Sequence, residues 1–98
     1  MIVAMVNIGL YLPGCGSLKE KRGVTKALIA RLRRELNVSI VEVGQQDHWQ
    51  RCELGVAIAA GSEVGARKVA QQVEKIVLRE HRVEPVSIDV EITAPQPR

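Results

Sequence analysis

The segment IVAMVNIGLYLPGCGSLKE, residues 2–20, decides the fold, because one kind of secondary structure ends and another begins within it. Every even position from 2 to 12 is apolar, while the odd positions mix apolar, polar and glycine residues, which predicts a strand with one buried face. The turn LPGCG then interrupts the alternation. Ser17, followed three residues later by Glu20, has the spacing of a capping box and predicts that a helix begins here.

The same reasoning extends along the chain. Leucines at helical spacing carry the first helix to about residue 36, and VSIVEVG predicts a second strand over 38–45. The polar residues 46–50 form a hairpin, and alternation resumes in a third strand over 52–60. Ser62 begins a second helix, and VSIDVEI predicts a fourth strand.

The order βαββαβ predicts an α+β, ferredoxin-like sandwich. We expect an antiparallel sheet in the order 4-1-3-2, with both helices on one face. Residues 1–93 form one domain, and the Pro-rich residues 94–98 form a disordered tail. The predicted core contains nine named residues: Val6, Ile8, Leu28, Leu32, Val56, Ile58, Val73, Ile88 and Val90.

Composition restricts the class of protein. The 98 residues include 46% hydrophobic and 26% charged residues, typical of a globular protein, and the net charge of +3 suggests an acidic partner. No apolar run is long enough to span a membrane, and no basic region precedes the apolar start of the chain, which argues against a signal peptide. Two cysteines without a CxxC spacing predict a reduced, cytoplasmic protein.

The first helix concentrates cations on the face opposite its leucines, around the small residues Gly23, Ala27 and Ala30. Cations in a first turn oppose the helix dipole, and glycine weakens a helix interior, so a bound phosphate would explain both. The alternative is an ordinary solvated face. The predicted phosphate contacts are Lys19, Lys21, Arg22, Lys26, Arg33 and Arg34, with Arg51 extending the surface.

The hairpin GQQDHWQRCE contains the only tryptophan. A Trp beside Gln and Arg can stack on a base or anchor a protein, so Gln46, Asp47, Trp49 and Gln50 are candidate partner contacts. We favour packing of the ring over one end of the sheet.

The sequence contains no convincing arrangement of catalytic or metal-binding residues. His48 and Cys52 lack the paired short spacings of a zinc site, and no base is fixed beside Cys15, although a helix N-terminus lowers the pKa of a thiol. We therefore predict no metal, no cofactor and no enzymatic activity.

The odd positions of the first and third strands would line the open face of the sheet. Apart from Tyr11 at one end they are not aromatic, which excludes an RNA-recognition sheet that stacks bases. The flat, small centre could instead form a homodimer.

The motifs SLKEKR, NVSIVEV and QDHWQR, with LGVAI after them, resemble the bacterial YlxP-like family of small proteins of unknown function. The resemblance implies a ferredoxin-like fold without known enzymatic activity. Genes of this family often lie among those for transcription termination, translation initiation and ribosome maturation, which implies a role with RNA or the ribosome. The matching positions are Ser17, Leu18, Lys19, Glu20, Lys21, Arg22, Glu42, Gln46, Asp47, Trp49, Gln50 and Arg51. His48 and Leu36 depart from the family pattern, and the departure at His48 argues against a catalytic role there.

The leading hypothesis is a non-enzymatic cytoplasmic protein that contacts structured RNA or the ribosome through its basic first helix. The alternative is a regulatory module that binds a small anion or metabolite in the PGCGS loop at the helix N-terminus. An acylphosphatase-like hydrolase shares the topology, but LPGCGS lacks the arginine that its phosphate loop requires.

Overall fold

In the computed structural model, which describes residues 1–95, the chain forms six elements in the predicted order βαββαβ. The elements are β1 (Ile2–Tyr11), α1 (Leu18–Glu35), β2 (Ser39–Gly44), β3 (Arg51–Ala60), α2 (Glu63–Arg79) and β4 (Glu84–Thr93). The predicted tail begins after β4, and its residues 96–98 lie outside the described residues.

The four strands form one antiparallel sheet in the order β2-β3-β1-β4, which is the predicted order read from the other edge. This confirms the ferredoxin-like fold. β1 and β3 pair over their full lengths, from Ile2 opposite Ala60 to Tyr11 opposite Arg51. Because residues opposite each other share a face, the even positions of both strands point to the same side.

The core lies between that side of the sheet and the two helices. It contains the even residues of β1 and β3, with Val24, Leu28 and Leu32 from α1 and Val73 and Val77 from α2. The odd positions of both strands face away from the helices. The parity of the strands therefore separates a helix-covered face from an open face, as predicted.

One part of the predicted core is wrong. Val90 lies opposite Val6 on the helix face of β4, yet it is 44% exposed, and Ile88 is only half-buried. β4 is an edge strand, so it has a neighbouring strand on one side only. Alternation correctly predicted which way these side chains point, but not how far the helices cover them.

Candidate nucleic-acid interface

The start of α1 is capped by its own side chains. Ser17 is the N-cap, and its hydroxyl oxygen accepts a hydrogen bond from the N–H of Glu20 at 3.2 Å. The Glu20 carboxylate in turn accepts from the N–H of Gly16 at 2.9 Å. The predicted cap therefore forms, and it places one carboxylate at the end of the helix where backbone N–H groups are free.

The exposed face of α1 carries five cations that form no ion pair within residues 1–95, and the first four of them also form no hydrogen bond there: Lys19, Arg22, Lys26, Arg34 and Arg33. The small residues Gly23, Ala27 and Ala30 are exposed between them. A Cβ atom added at Gly23 would meet nothing within 4 Å, so packing inside the domain does not require glycine there. α1 as a whole has seven Lys and Arg residues against two Glu residues, a formal net charge of +5.

Arg33 is exposed and turned toward the edge of the sheet. Its guanidinium donates a hydrogen bond to the carbonyl oxygen of Ile40 in β2 at 2.9 Å. The positive charge is still at the surface, but this side chain also covers an edge strand. Arg31, next to the same stripe, is neutralised by Glu35 at 2.8 Å.

Lys21 was predicted to contact phosphate, and the structure corrects this. The residue is 1% exposed and lies on the core side of α1 with Val24, Thr25 and Leu28. Its ammonium donates to the carbonyl oxygens of Gln45 and Gln46, the latter at 3.3 Å, and lies 3.1 Å from a Glu42 carboxylate oxygen. A cation held in this way is not available to a ligand.

The contact between Lys21 and Glu42 is an ion pair rather than a hydrogen bond, because that buried oxygen has no well-directed donor. The two backbone carbonyls therefore provide the directed bonds of the ammonium. Gln45 has a φ of 60°, the left-handed region, where the chain turns out of β2. Lys21 thus ties the hairpin after β2 to the first turns of α1.

Sequence reasoning missed this pair, although a signal was present. Glu42 lies opposite Leu54, so it shares the helix-facing side of the sheet with Ile40. A carboxylate at a core-side position needs a cation nearby. Lys21 has the 3.6-residue spacing that places it with Val24 and Leu28 on the inward face of α1.

Arg51 is not part of the α1 surface. It pairs with Tyr11 at an odd position, so it lies on the open face of the sheet, and its guanidinium is 5.6 Å from the centre of the Tyr11 ring. That distance is typical of a cation–π contact. The prediction that Arg51 extends the basic helix face is therefore wrong.

The hairpin residues divide into two groups. Gln46 and Gln50 are used internally, because their side chains donate to the carbonyl oxygens of Glu42 at 3.2 Å and Cys15 at 3.3 Å. Asp47 is exposed, and Trp49 is 49% exposed rather than buried over the end of the sheet. About half of the Trp49 surface is open to solvent, so both the favoured packing of the ring and its contact with a partner stay predictions.

The two cysteines are poor nucleophiles. Both are free and buried. Burial raises the pKa of the Cys15 thiol, with a further contribution from Glu20, and burial followed by Glu42 raises the pKa of Cys52 to about 11. Both thiols are thus protonated at neutral pH. No group of three or more His, Cys, Asp or Glu residues within residues 1–95 could hold a metal ion.

The loop proposed for anion binding borders a groove of roughly 540 Å³ between α1 and the turn before β4. Pro13, Gly14, Cys15, Glu20, Gly23, Val24, His81 and Arg82 line it. Arg82 is engaged by Glu80 through two hydrogen bonds of 2.8 and 2.9 Å, which hold the pKa of Glu80 down at about 2. With Glu20 bound to Gly16 and Arg82 bound to Glu80, the geometry opposes an anion cradle here.

The open face of the sheet has the small central residues expected from the sequence, and Val41 and Val43 add exposed apolar surface. Among the β-strand residues within 1–95 that face this side, Tyr11 is the only aromatic one. A homodimer through this face stays a prediction. No helix within residues 1–95 has the length and apolar character needed to cross a membrane.

Comparison with known proteins agrees with this architecture. A solution NMR structure of a de novo designed protein with a ferredoxin fold superposes with a TM-score of 0.55 at 16% identity, covering 99% of this chain and 88% of that one. That likeness shows the fold alone. The uncharacterized protein YlxP of Bacillus subtilis is 48% identical over 58 residues, 59% of this chain and 63% of the relative, so the alignment spans less than two thirds of that protein.

A family profile covers nearly the whole fold. The family described as "Protein of unknown function (DUF503)" matches residues 3–90, from the start of β1 into β4. On this match, the chain belongs to the DUF503 family of proteins of unknown function.

Proposed function

We propose that this protein is a non-enzymatic, RNA-binding protein of the cytoplasm that contacts phosphates of structured RNA, ribosomal RNA included, through the outer face of α1. The observation that carries the proposal is the set of exposed cations Lys19, Arg22, Lys26 and Arg34, which have no carboxylate partner within residues 1–95. Arg33 contributes its charge at the margin of the set.

The small residues of α1 support close approach of a large polyanion. Gly23, Ala27 and Ala30 leave a shallow surface between long cationic side chains. Gly23 costs about 1 kcal/mol of helix stability relative to Ala, with no internal packing contact to explain it. Contacts of this kind bind the sugar-phosphate backbone and do not read the base sequence.

The salt dependence of RNA binding tests the proposal. Each phosphate contact releases counterions, so replacing Arg22 and Lys26 with Gln should flatten the log–log salt slope by about 1.4 on single-stranded RNA. Binding to all sequences should weaken alike. The measurement is fluorescence anisotropy of a labelled mixed-sequence oligoribonucleotide and a labelled RNA hairpin over a series of salt concentrations.

The matched control is Lys68→Gln with Lys75→Gln on α2, which removes the same charge from two exposed cations without ion pairs in residues 1–95. The proposal requires the α1 variant to lose much more affinity than this control. Equal losses of RNA affinity in the two variants would show that only net charge matters and would overturn the proposed α1 surface. Absence of RNA binding by the wild-type protein would also overturn the proposal. Circular dichroism confirms that both variants fold.

The anion-binding module remains the second candidate, but no observation favours it. Glu20, in the first turn of α1, places its carboxylate on the N–H of Gly16, at the position that an anion would occupy. Removing that carboxylate should help an anion to bind, so Glu20→Gln with inorganic phosphate as the probe tests this alternative directly.

A further inference from the structure

The two edges of the sheet are protected to very different degrees. β2 is only six residues long, and the Arg33 guanidinium donates a hydrogen bond to the carbonyl oxygen of Ile40 on that strand. The Lys21 ammonium donates hydrogen bonds to the carbonyl oxygens of Gln45 and Gln46, which directly follow β2. Unpaired backbone groups of an edge strand are a template for a further strand. The β2 edge is therefore short, and cationic side chains occupy one of its carbonyls and the two that follow its end.

β4 forms the other edge and is ten residues long. Pro85 protects its start because proline has no N–H to offer another strand. A bulge also interrupts the strand there, as the shift in register opposite Gly9 and Leu10 shows. Beyond the bulge, residues 87–93 pair with β1 on one side. On the other side, no backbone of residues 1–95 hydrogen-bonds to them.

The two sides of this open edge differ in chemistry. Ile88, Val90 and Ile92 point to the helix side and are incompletely covered. Asp89 and Glu91 lie on the open face and are exposed. β4 contains three carboxylates and no cation, whereas the whole chain has a net charge of +3. The open edge is therefore an acidic strip on a basic protein.

We propose that residues 87–93 of β4 bind an extended, basic segment of a partner protein, which adds to the sheet as a fifth strand. Main-chain hydrogen bonds along the edge supply the affinity in this mode of recognition, and alternate side chains supply the specificity. Lys or Arg at every second position of the partner would face Asp89 and Glu91. Apolar residues between them would cover Val90 and its neighbours.

Charge decides against a second copy of this chain as the occupant. Two β4 strands paired antiparallel over residues 87–93 would bring Asp89 and Glu91 of one copy close to the same carboxylates of the other. Like charges opposite each other destabilise a strand pair, and opposite charges stabilise it. The inference goes beyond the proposed RNA binding and uses a different surface, so either can fail alone.

The probe is a labelled synthetic peptide as long as residues 87–93 in which lysine alternates with valine. A second peptide alternates glutamate with valine, and a third repeats the lysine peptide with alternate backbone nitrogens methylated. We expect only the first to bind the full-length protein. Asp89→Lys with Glu91→Lys should weaken that binding by about tenfold or more, because two attractive pairs become repulsive.

The matched control is Glu63→Lys with Glu74→Lys on α2, which makes the same change in net charge at two exposed carboxylates. It should leave peptide affinity within about twofold, since neither altered residue is on β4, whose side chains would pair with those of the added strand. Equal weakening by both variants, or equal binding of the methylated peptide, would overturn strand addition. A wild-type dimer in sedimentation that dissociates on the Asp89→Lys, Glu91→Lys change would overturn the basic-peptide occupant in favour of a second copy.

Discussion

The two helices begin alike and then differ in how they use charge. Each starts after a serine N-cap whose hydroxyl accepts a backbone hydrogen bond, from Glu20 in α1 and from Gly65 in α2. Both pack on the same side of the sheet. α1 has a net charge of +5, whereas α2 has four cations and two carboxylates, a net charge of +2.

The arrangement of those charges differs more than their number. The first turn of α2 begins with Glu63, which suits the helix dipole and pairs with Arg67 at 2.9 Å. α1 instead has Lys19 in its first turn, buries Lys21, and leaves most of its outer cations without partners in residues 1–95. α2 also has cations without ion pairs in residues 1–95, Lys68 and Lys75 among them. The helices therefore differ in the residue that begins the first turn and in the buried lysine of α1. Substitutions at equivalent places on the two helices measure that contrast.

The largest effect is expected at the buried cation of α1. Lys21→Met leaves the Glu42 carboxylate and two backbone carbonyls without their partner, and should lower the free energy of unfolding by about 3–5 kcal/mol, the usual cost of breaking a buried pair. Lys68→Met on the exposed side of α2 should change it by about 0.5 kcal/mol or less. Urea denaturation measures both.

A double variant separates the ion pair from general damage to the core. Lys21→Met with Glu42→Met replaces both charges by apolar groups, and should recover part of the loss because removing a whole buried pair is often nearly neutral. A loss below about 1 kcal/mol for Lys21→Met alone would contradict the structural role of Lys21 and return it to the candidate ligand contacts.

Lys21 also shows where sequence reasoning succeeded and where it failed. The fold was predictable because alternation in β1 and β3 and the Ser17–Glu20 spacing depend on neighbours along the chain. The burial of Lys21 depends on Glu42 and on the hairpin after β2, which are distant in sequence. Charge alone predicts that a lysine on a helix is exposed. The predicted burial of Val90 is wrong for a related reason. Strand periodicity predicts the face of the sheet on which a side chain lies, but not whether the helices extend far enough sideways to cover it.

The second effect is a pH dependence at the end of α2. Hydrogen bonds from Arg82 hold the pKa of Glu80 at about 2, below its usual value of 4.5. The stabilisation is therefore complete above about pH 4.5 and is lost as the pH falls toward 2. We expect about 1–2 kcal/mol, because a tenfold change in proton affinity corresponds to about 1.4 kcal/mol and water screens the half-exposed Arg82.

Arg82→Gln should remove most of that acid-dependent loss and lower stability at neutral pH. Chemical denaturation at a series of pH values between about 2 and 6 measures it, with Arg67→Gln as the control on the exposed Glu63 pair. Identical pH profiles for wild type and Arg82→Gln would mean that Arg82 does not stabilise the ionised Glu80.

A smaller effect is expected at the helical glycines. Gly23→Ala should stabilise the protein by about 1 kcal/mol, because Ala is the better helix former and its Cβ would meet nothing within 4 Å. Gly65→Ala in α2 should gain less, since its Cβ would lie 3.2 Å from the capping hydroxyl of Ser62. Equal gains at the two sites would show that the internal packing around Gly65 has no energetic weight.

The smallest effect concerns the first turns themselves. Lys19→Gln should stabilise the protein by about 0.3 kcal/mol, because it removes a cation from the positive end of the α1 dipole. Glu63→Gln should destabilise it by about 0.5 kcal/mol, because α2 loses both a favourable dipole interaction and the pair with Arg67. Both changes should nearly vanish at about 1 M salt, where the screening length is about 3 Å. Thermal melts at low and high salt measure them.

If Lys19→Gln does not raise the stability at low salt, the cation in the first turn has no energetic cost. The argument for a ligand on α1 then rests on the unpaired cations and on Gly23 alone.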